Sequence, residues 1–417
     1  MNQAHKSLLA MACAAVVGGA AAPVFAQEAS GTLVDAIRGG EVKLHFRYRY
    51  EDVDQDNALR TAHASTLKSR LTYTTKLWEG WQAQAEVENI STIGDDAYNS
   101  THNRKNNYSV VGDPKGTEIN QAWIAYSGFG NSTLKLGRQR ILLDNERFVG
   151  GVGWRQNEQT FDGGSFINKS LPDTTITYAY IANVNRVFGP RDGTTAAWLG
   201  DWDSDIHLLN LSYTGWKIGA LSAYAYLMDI EEKLAQAQSN ETYGLRFSGK
   251  QALGQTVNLL YTLEYARQED YADNPVGYRA DYYTWEGGLA LPRAVTLTLG
   301  QEVLEGDRAQ AGRAFRTPLA TLHKFQGWAD MFLATPNAGI EDSYAGASVV
   351  FAGITAAVVW HDFQAEDGGK SYGDELDVSL TRKFGQYLTG MLKYADYKED
   401  GFAVDTRKIW VQLQLDF

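Results

Sequence analysis

Cysteine is nearly absent: Cys13 is the single one among 417 residues, so neither a disulfide framework nor a cysteine metal site can organise the chain. Proline is scarce too, with 8 residues against 41 glycines, and long stretches are therefore free to pair as strands. Beyond residue 26 no apolar run reaches 18 residues, which excludes helical membrane spans. Net positive charge is also missing. A balance of −12 argues against nucleic-acid binding and against a basic membrane-surface protein. The mean hydropathy of −0.34 and the 12% aromatic content fit a wall of alternating strands.

What is present is strongest at the end. In Arg407 to Phe417, the residues Ile409, Val411, Leu413, Leu415 and Phe417 alternate with Lys408, Trp410, Gln412, Gln414 and Asp416. One face is apolar and the other mostly polar. An untapered apolar strand at a chain terminus leaves an unpaired edge, and the first strand of the same chain is the most economical partner for it. The result would be a closed barrel with lipid outside and water inside. At the other end, Lys6, the apolar stretch Leu8 to Ala22 and Val24-Phe25-Ala26 read as a secretory signal, residues 1–26, which would carry Cys13 away with it. A short periplasmic segment, 27–41, with a helix over Thr32 to Gly40, would precede an outer-membrane barrel over 42–417.

From Val42 the period is two: Val42, Leu44, Phe46, Tyr48 and Tyr50 alternate with Lys43, His45, Arg47, Arg49 and Glu51. No soluble core explains the basic face, whereas a water-filled lumen does. The later runs join in pairs through short links such as Glu79-Gly80 and Pro172-Asp173. Long polar connections separate the pairs, at 52–65, 90–116, 141–159, 184–204, 230–239, 268–280, 304–339, 364–373 and 398–406. The fold class is therefore all-β, a transmembrane antiparallel barrel of about 18 strands, with 16 as the alternative, short periplasmic turns and long extracellular loops.

Strand phase points Lys43, Arg47, Arg49, Lys68, Arg70 and Lys76 inward, opposite Glu86 and Glu88. Later strands contribute Glu264, Glu286, Glu302, Glu375 and Asp377, with Arg246 as the exception. This arrangement predicts a transverse field, basic on the N-terminal wall and acidic on the C-terminal one. Selectivity in a channel comes from charges at its narrowest part. Arg138, Arg140, Arg147 and Arg155 with Trp154 predict a constriction in 137–163, and Arg313, Arg316, His323, Lys324, Phe325 and Trp328 predict that the long connection 304–339 folds inward. Arginine forks suit carboxylates. The expectation is an anion preference carried largely by Arg138, Arg155 and Arg316. Asp201, Asp203 and Asp205 have a spacing that could serve calcium, although the glycine and distal glutamate of a known loop are missing. His361-Asp362 is the best catalytic dyad on offer, yet neighbours on a strand face opposite ways, so no enzyme and no cofactor are expected.

Two stretches resemble the alginate-export family of outer-membrane porins. One is Leu136-Gly137-Arg138-Gln139-Arg140 with Gly153-Trp154-Arg155 and Gln159-Thr160-Phe161-Asp162-Gly163; the other is Phe315 to Tyr344. The resemblance implies an 18-stranded outer-membrane channel, and the arginine-rich loops point to small or oligomeric hydrophilic, anionic solutes moving by passive diffusion. Export of an anionic exopolysaccharide such as alginate is the alternative, and a barrel hydrolase the remote one. The expected partners are outer-membrane lipid and lipopolysaccharide, the barrel-assembly machinery through Phe417, and a hydrophilic solute or anionic oligosaccharide.

Overall fold

The computed structural model describes residues 31–193 and 196–417, and the expected signal segment lies outside them. Eighteen strands form one closed antiparallel sheet. In chain order they are β1 Glu41–Gln55, β2 Ala62–Thr74, β3 Trp81–Ala97, β4 Gly116–Tyr126, β5 Ser132–Gln139 and β6 Thr160–Asn168. Then come β7 Thr174–Asn185, β8 Asp201–Trp216, β9 Gly219–Ile230, β10 Asn240–Leu253, β11 Val257–Asp270 and β12 Arg279–Leu291. The last six are β13 Val295–Leu304, β14 Ile340–Phe351, β15 Ile354–Gln364, β16 Ser371–Phe384, β17 Leu388–Glu399 and β18 Thr406–Asp416.

Each strand pairs with its neighbours in sequence, and β18 returns to β1 from His45↔Asp416 to Gln55↔Thr406. Two bonds finish the seam: the Leu44 N–H donates to the Phe417 carbonyl at 3.2 Å and the Phe417 N–H to the Leu44 carbonyl at 2.9 Å. The Phe417 ring stacks on Tyr387 at 5.2 Å. Along β18 the alternation sorts cleanly, with Leu413 47% exposed and Trp410 0%. The apolar side chains look out and the polar ones in, as lipid outside and water inside require.

Before β1, α1 (Leu33–Arg38) is capped by Thr32, whose Oγ1 accepts from the Asp35 N–H at 3.1 Å. The Lys76 N–H donates to the Ala36 carbonyl at 3.0 Å and seats the helix beneath β2. On this rim the links between strands are short. On the other rim lie loops L1 (56–61), L2 (98–115), L3 (140–159), L4 (186–200) and L7 (305–339), among others. Two sequence expectations need correcting here. The connection expected over 52–65 shrinks to 56–61, because the ladder between β1 and β2 continues to Val53↔Ala62. Asp201, Asp203 and Asp205 belong to β8 rather than to a loop.

Deleting Phe417 removes two seam bonds and an aromatic stack while leaving the lumen intact. The expected outcome is a smaller folded fraction in the outer membrane, read as heat-shifted mobility on gels, with unchanged conductance for the molecules that do assemble. Normal membrane levels of the deletion would refute the seam argument.

Candidate functional site

The lumen is filled from one rim by L3 and L7, and the charges of wall and loops meet in three clusters. The first lies below L3. Lys68 and Arg70 on β2 face Glu86 and Glu88 on β3: the Arg70 Nε donates to Glu88 Oε2 at 2.7 Å, and Lys68 Nζ lies 3.3 Å from the same oxygen. A bulge in β4 opposite Glu86 and Val87 turns both Asn120 and Gln121 toward Glu86 Oε1, at 2.8 and 3.1 Å, as extra residues in a strand do. L3 adds Arg140, whose Nη2 donates to Glu86 Oε1 at 2.6 Å and whose Nε binds Glu158. Burial alone would raise the Glu158 carboxyl, but Arg140, Lys68 and Arg70 outweigh it and hold the group well below its usual range.

The second cluster is where L3 meets the opposite wall. Arg147 on L3 is fully buried; its Nε donates to Glu302 on β13 at 2.7 Å, and its guanidinium lies 4.8 Å from the Phe325 ring of L7. Next to it, Phe148 packs on Tyr224, Tyr282 and Phe315 with ring centroids 5.2 to 5.9 Å apart. The same wall holds Arg246 and Glu264 at 2.7 Å, with Tyr224 donating to Glu264 at 2.9 Å.

The third cluster is where L3 and L7 clasp each other. Gln159 donates to the Gly150 and Leu319 carbonyls at 2.9 and 3.0 Å, Thr321 Oγ1 donates to Glu146 at 2.6 Å, and Lys324 pairs with Glu146. Trp154 of L3 stacks on His323 of L7 at 4.2 Å. Asp330 of L7 sits among donors from three elements: His323 Nδ1 at 2.7 Å, Lys408 Nζ of β18 at 3.1 Å and Arg155 Nη2 of L3 at 3.2 Å. Lys393 of β17 donates to His323 Nε2 at 2.6 Å, and its ammonium lies over Trp328 at 3.6 Å and Trp154 at 4.2 Å.

These contacts assign the His323 proton to Nδ1, because Nε2 must accept from the lysine. Burial pushes the His323 imidazole down from 6.5 to about 3, against the pull of Asp330. Burial would raise Asp330, but His323, Lys408 and Arg155 hold it well below its ordinary value. The tip of L7 hangs on β16 through its backbone: the Ala329 N–H donates to Glu375 at 2.7 Å and the Trp328 N–H to Asp377 at 3.1 Å. Gly327 (φ +80) allows this approach, since a Cβ there would meet Glu375 Oε2 at 2.3 Å.

The family model for alginate export matches residues 40–309. The chain belongs to the alginate export family. Solved structures with a similar fold include OccAB2 of Acinetobacter baumannii, at 16% identity with a TM-score of 0.69 over 92% of this chain and 99% of that one. OccK9 (OpdG) of Pseudomonas aeruginosa is 14% identical with a TM-score of 0.70, covering 92% and 100%. OpdK of Pseudomonas aeruginosa, solved with vanillate, is 14% identical with a TM-score of 0.67, covering 91% and 99%. No curated protein matches the chain.

In this alginate-export barrel, Arg47, Arg49, Lys68, Arg70, Glu86, Arg246, Glu264 and Glu302 are buried side chains of the inner wall or nearly so. Arg138 is not among them. It shares the outward parity of Leu136, which is 50% exposed, and pairs two-pronged with Asp162 at 2.7 and 2.8 Å. The cause is strand parity: Leu136 and Arg138 share one face of β5, and the position between them is Gly137 (φ +117), where a Cβ would stand 2.3 Å from the Ala122 carbonyl oxygen.

Arg155 does point into the lumen but is occupied by Glu51, Asp113 and Asp330. Arg316 has no carboxylate partner among the described residues; it donates to the Gly312 carbonyl and lies over Tyr278 at 5.5 Å. The expected transverse field is largely cancelled by L3, which brings Arg147 to the acidic wall and Glu158 to the basic one. Asp201, Asp203 and Asp205 all face outward along β8, with neighbours about 7 Å apart along the strand, a string of carboxylates and not a cage. His361 bonds to Asp342 at 2.9 Å rather than to Asp362. Sequence reasoning missed Lys393, Lys408, Trp410 and Asp330 as a group; strand parity could have found the first three, but nothing local marks Asp330.

Two outcomes follow for the second and third clusters. Arg147→Ala leaves the buried Glu302 without its cation, a loss of about 3–5 kcal/mol. It should lower the temperature of heat-shifted gel mobility, whereas Arg267→Ala, which breaks the exposed pair with Asp281, should leave it unchanged. Acid acts through His323, whose folded value lies below its unfolded one. The open loop therefore binds more protons than the closed one between pH 6.5 and 3, and the clasp weakens as pH falls through that window. Acidifying from pH 7 to 4 should increase acrylamide quenching of tryptophan fluorescence, and His323→Asn should abolish that step.

Proposed function

We propose that the protein is an outer-membrane channel that passes small hydrophilic anions by diffusion. The observation that carries this reading is the layering of charge in the first cluster. A cavity of about 310 Å³ opens beside L3, lined by Lys43, His45, Arg70, Arg140, Glu86 and Asp416 among others. Two carboxylates stand behind Arg140 there: its side chain is 27% exposed, against 4% for Glu86 and 9% for Glu158, while the exposed Asp416 is bonded to His45 at 2.6 Å. On the cavity's L3 side a solute therefore meets the Arg140 guanidinium before Glu86 and Glu158, although the cluster as a whole is close to neutral. Charges within a Debye length of roughly 8 Å dominate at physiological salt, and more distant acids are screened.

The fold shared with the Occ and Opd structures supports a channel. Export of an acidic polysaccharide rests on the family name alone, and L3 and L7 lie across the space that a polymer would thread.

The test is the reversal potential of purified protein in a planar bilayer under a salt gradient. Arg140→Ala should lower the anion-to-cation permeability ratio, while Arg138→Ala, on the outer rim, should leave it as in wild type. A cation-selective wild type would overturn the proposal.

A further inference from the structure

We infer that the Asp330 carboxylate is a tethered stand-in for the solute. The pocket it fills, built by Arg155, Lys408, His323, Trp154 and Trp410, is on this view a binding site for a small carboxylate borne on a flat ring or a sugar face. The inference rests on the anion-channel reading and goes further, since it names the site and the chemical class of its ligand.

Three observations support it. First, the donors that hold Asp330 come from L3, L7 and the wall strand β18, so the site exists only where both loops meet the barrel. A carboxylate that enters along the lumen would find the same forked donors. Second, three donors beside the pocket are left over by Asp330. Arg49 Nη1, Trp154 Nε1 and Trp410 Nε1 are buried without a hydrogen-bond partner among the described residues, and Arg49 and Trp410 are each 0% exposed.

Buried donors are rarely left unpaired, and these three belong to one contact cluster. The Arg49 guanidinium lies 4.0 Å from the Trp154 ring, and Trp154 meets Trp410 edge-on at 5.7 Å. A ligand with more oxygens than one aspartate would use them. Third, the walls are indole faces, which suit flat rings and the apolar face of a pyranose. Acids are present too: Glu51 and Asp113 lie against Arg155, and Glu375 and Asp377 hold the L7 backbone, each with one buried oxygen that has no hydrogen-bond partner among the described residues. They fix the loop and the arginine, and Asp330 alone contacts Lys408, His323 and Arg155 together.

A tethered ligand competes at an effective concentration in the millimolar range. Free carboxylate must displace Asp330, and its apparent affinity is reduced by the fraction of time the pocket is filled from within. Removing the charge of Asp330 should therefore tighten solute binding, the opposite of what loss of a solute-binding residue does.

The experiment measures block of ion conductance through the full barrel by benzoate and by glucuronate, with benzyl alcohol and glucose as neutral controls. Asp330→Asn should lower the blocking concentration of both carboxylates about tenfold. Lys408→Gln should raise it about tenfold, and the neutral compounds should act equally on all three proteins. Should Asp330→Asn fail to assemble, Lys408→Gln decides alone: an unchanged blocking concentration overturns the inference. An anion-selective wild type with unaltered block in both variants refutes the tethered-ligand site and leaves the anion channel standing. A cation-selective wild type that no carboxylate blocks refutes both.

Discussion

Hydrocarbon offers no hydrogen bonds, and every other feature of this molecule follows from that. A backbone amide in the bilayer must find its partner within the protein, and a sheet can do so only by leaving no edge. The seam between β1 and β18 meets this demand to the last residue, where Leu44 and Phe417 exchange both of their bonds. Once the ring is closed, alternate side chains are assigned to lipid or to lumen by parity alone, and a single extra residue reverses the assignment. The bulge opposite Glu86 exploits this by aiming two consecutive polar side chains at one carboxylate.

Closing eighteen strands encloses more space than inward side chains can fill, and here the loops take up the remainder. Filling it turns wall charges that would otherwise face water into buried charges, which must be compensated. L3 and L7 supply the counter-ions. L3 carries Arg147 to Glu302 on one side and Glu158 to Lys68 and Arg70 on the other, while L7 carries Asp330 to Lys408. The loops thus act as a lattice of ion pairs strung across the lumen. Each pair gains strength because water is excluded.

Compensation need not be uniform in depth, and function enters through that difference. Around the cavity beside L3, Glu86 and Glu158 are sunk behind Arg140, so a protein with a net charge of −12 presents guanidinium on that side of its lumen. At the clasp the order is reversed: the cations and tryptophans form the walls and a loop aspartate occupies the centre. Net charge describes the outside of such a molecule and says little about its path.

The sequence alone determined the closed barrel and the inward identity of residues such as Arg49, Lys68, Glu264 and Glu302, because a period of two is a local property that each strand displays by itself; it left 16 strands open beside 18, which the pairing decided. It also marked L3 and L7 as inward loops, since thirty-odd residues bearing Trp328, Phe325 and Phe332 cannot remain in water without a packing partner. Only the tertiary structure decided who pairs with whom. Arg138 reads like its neighbour Arg140 in sequence, yet β5 runs to Gln139 and holds Arg138 on its outer face, while Arg140 lies past the strand's end and turns inward with L3. Asp330 carries no local signal at all, for its meaning lies in Arg155, Lys408 and His323, which are 175, 78 and 7 residues away. Periodicity reports which way a side chain points; what it meets there depends on how the loops cross the lumen, and that is settled by long-range compensation of buried charge.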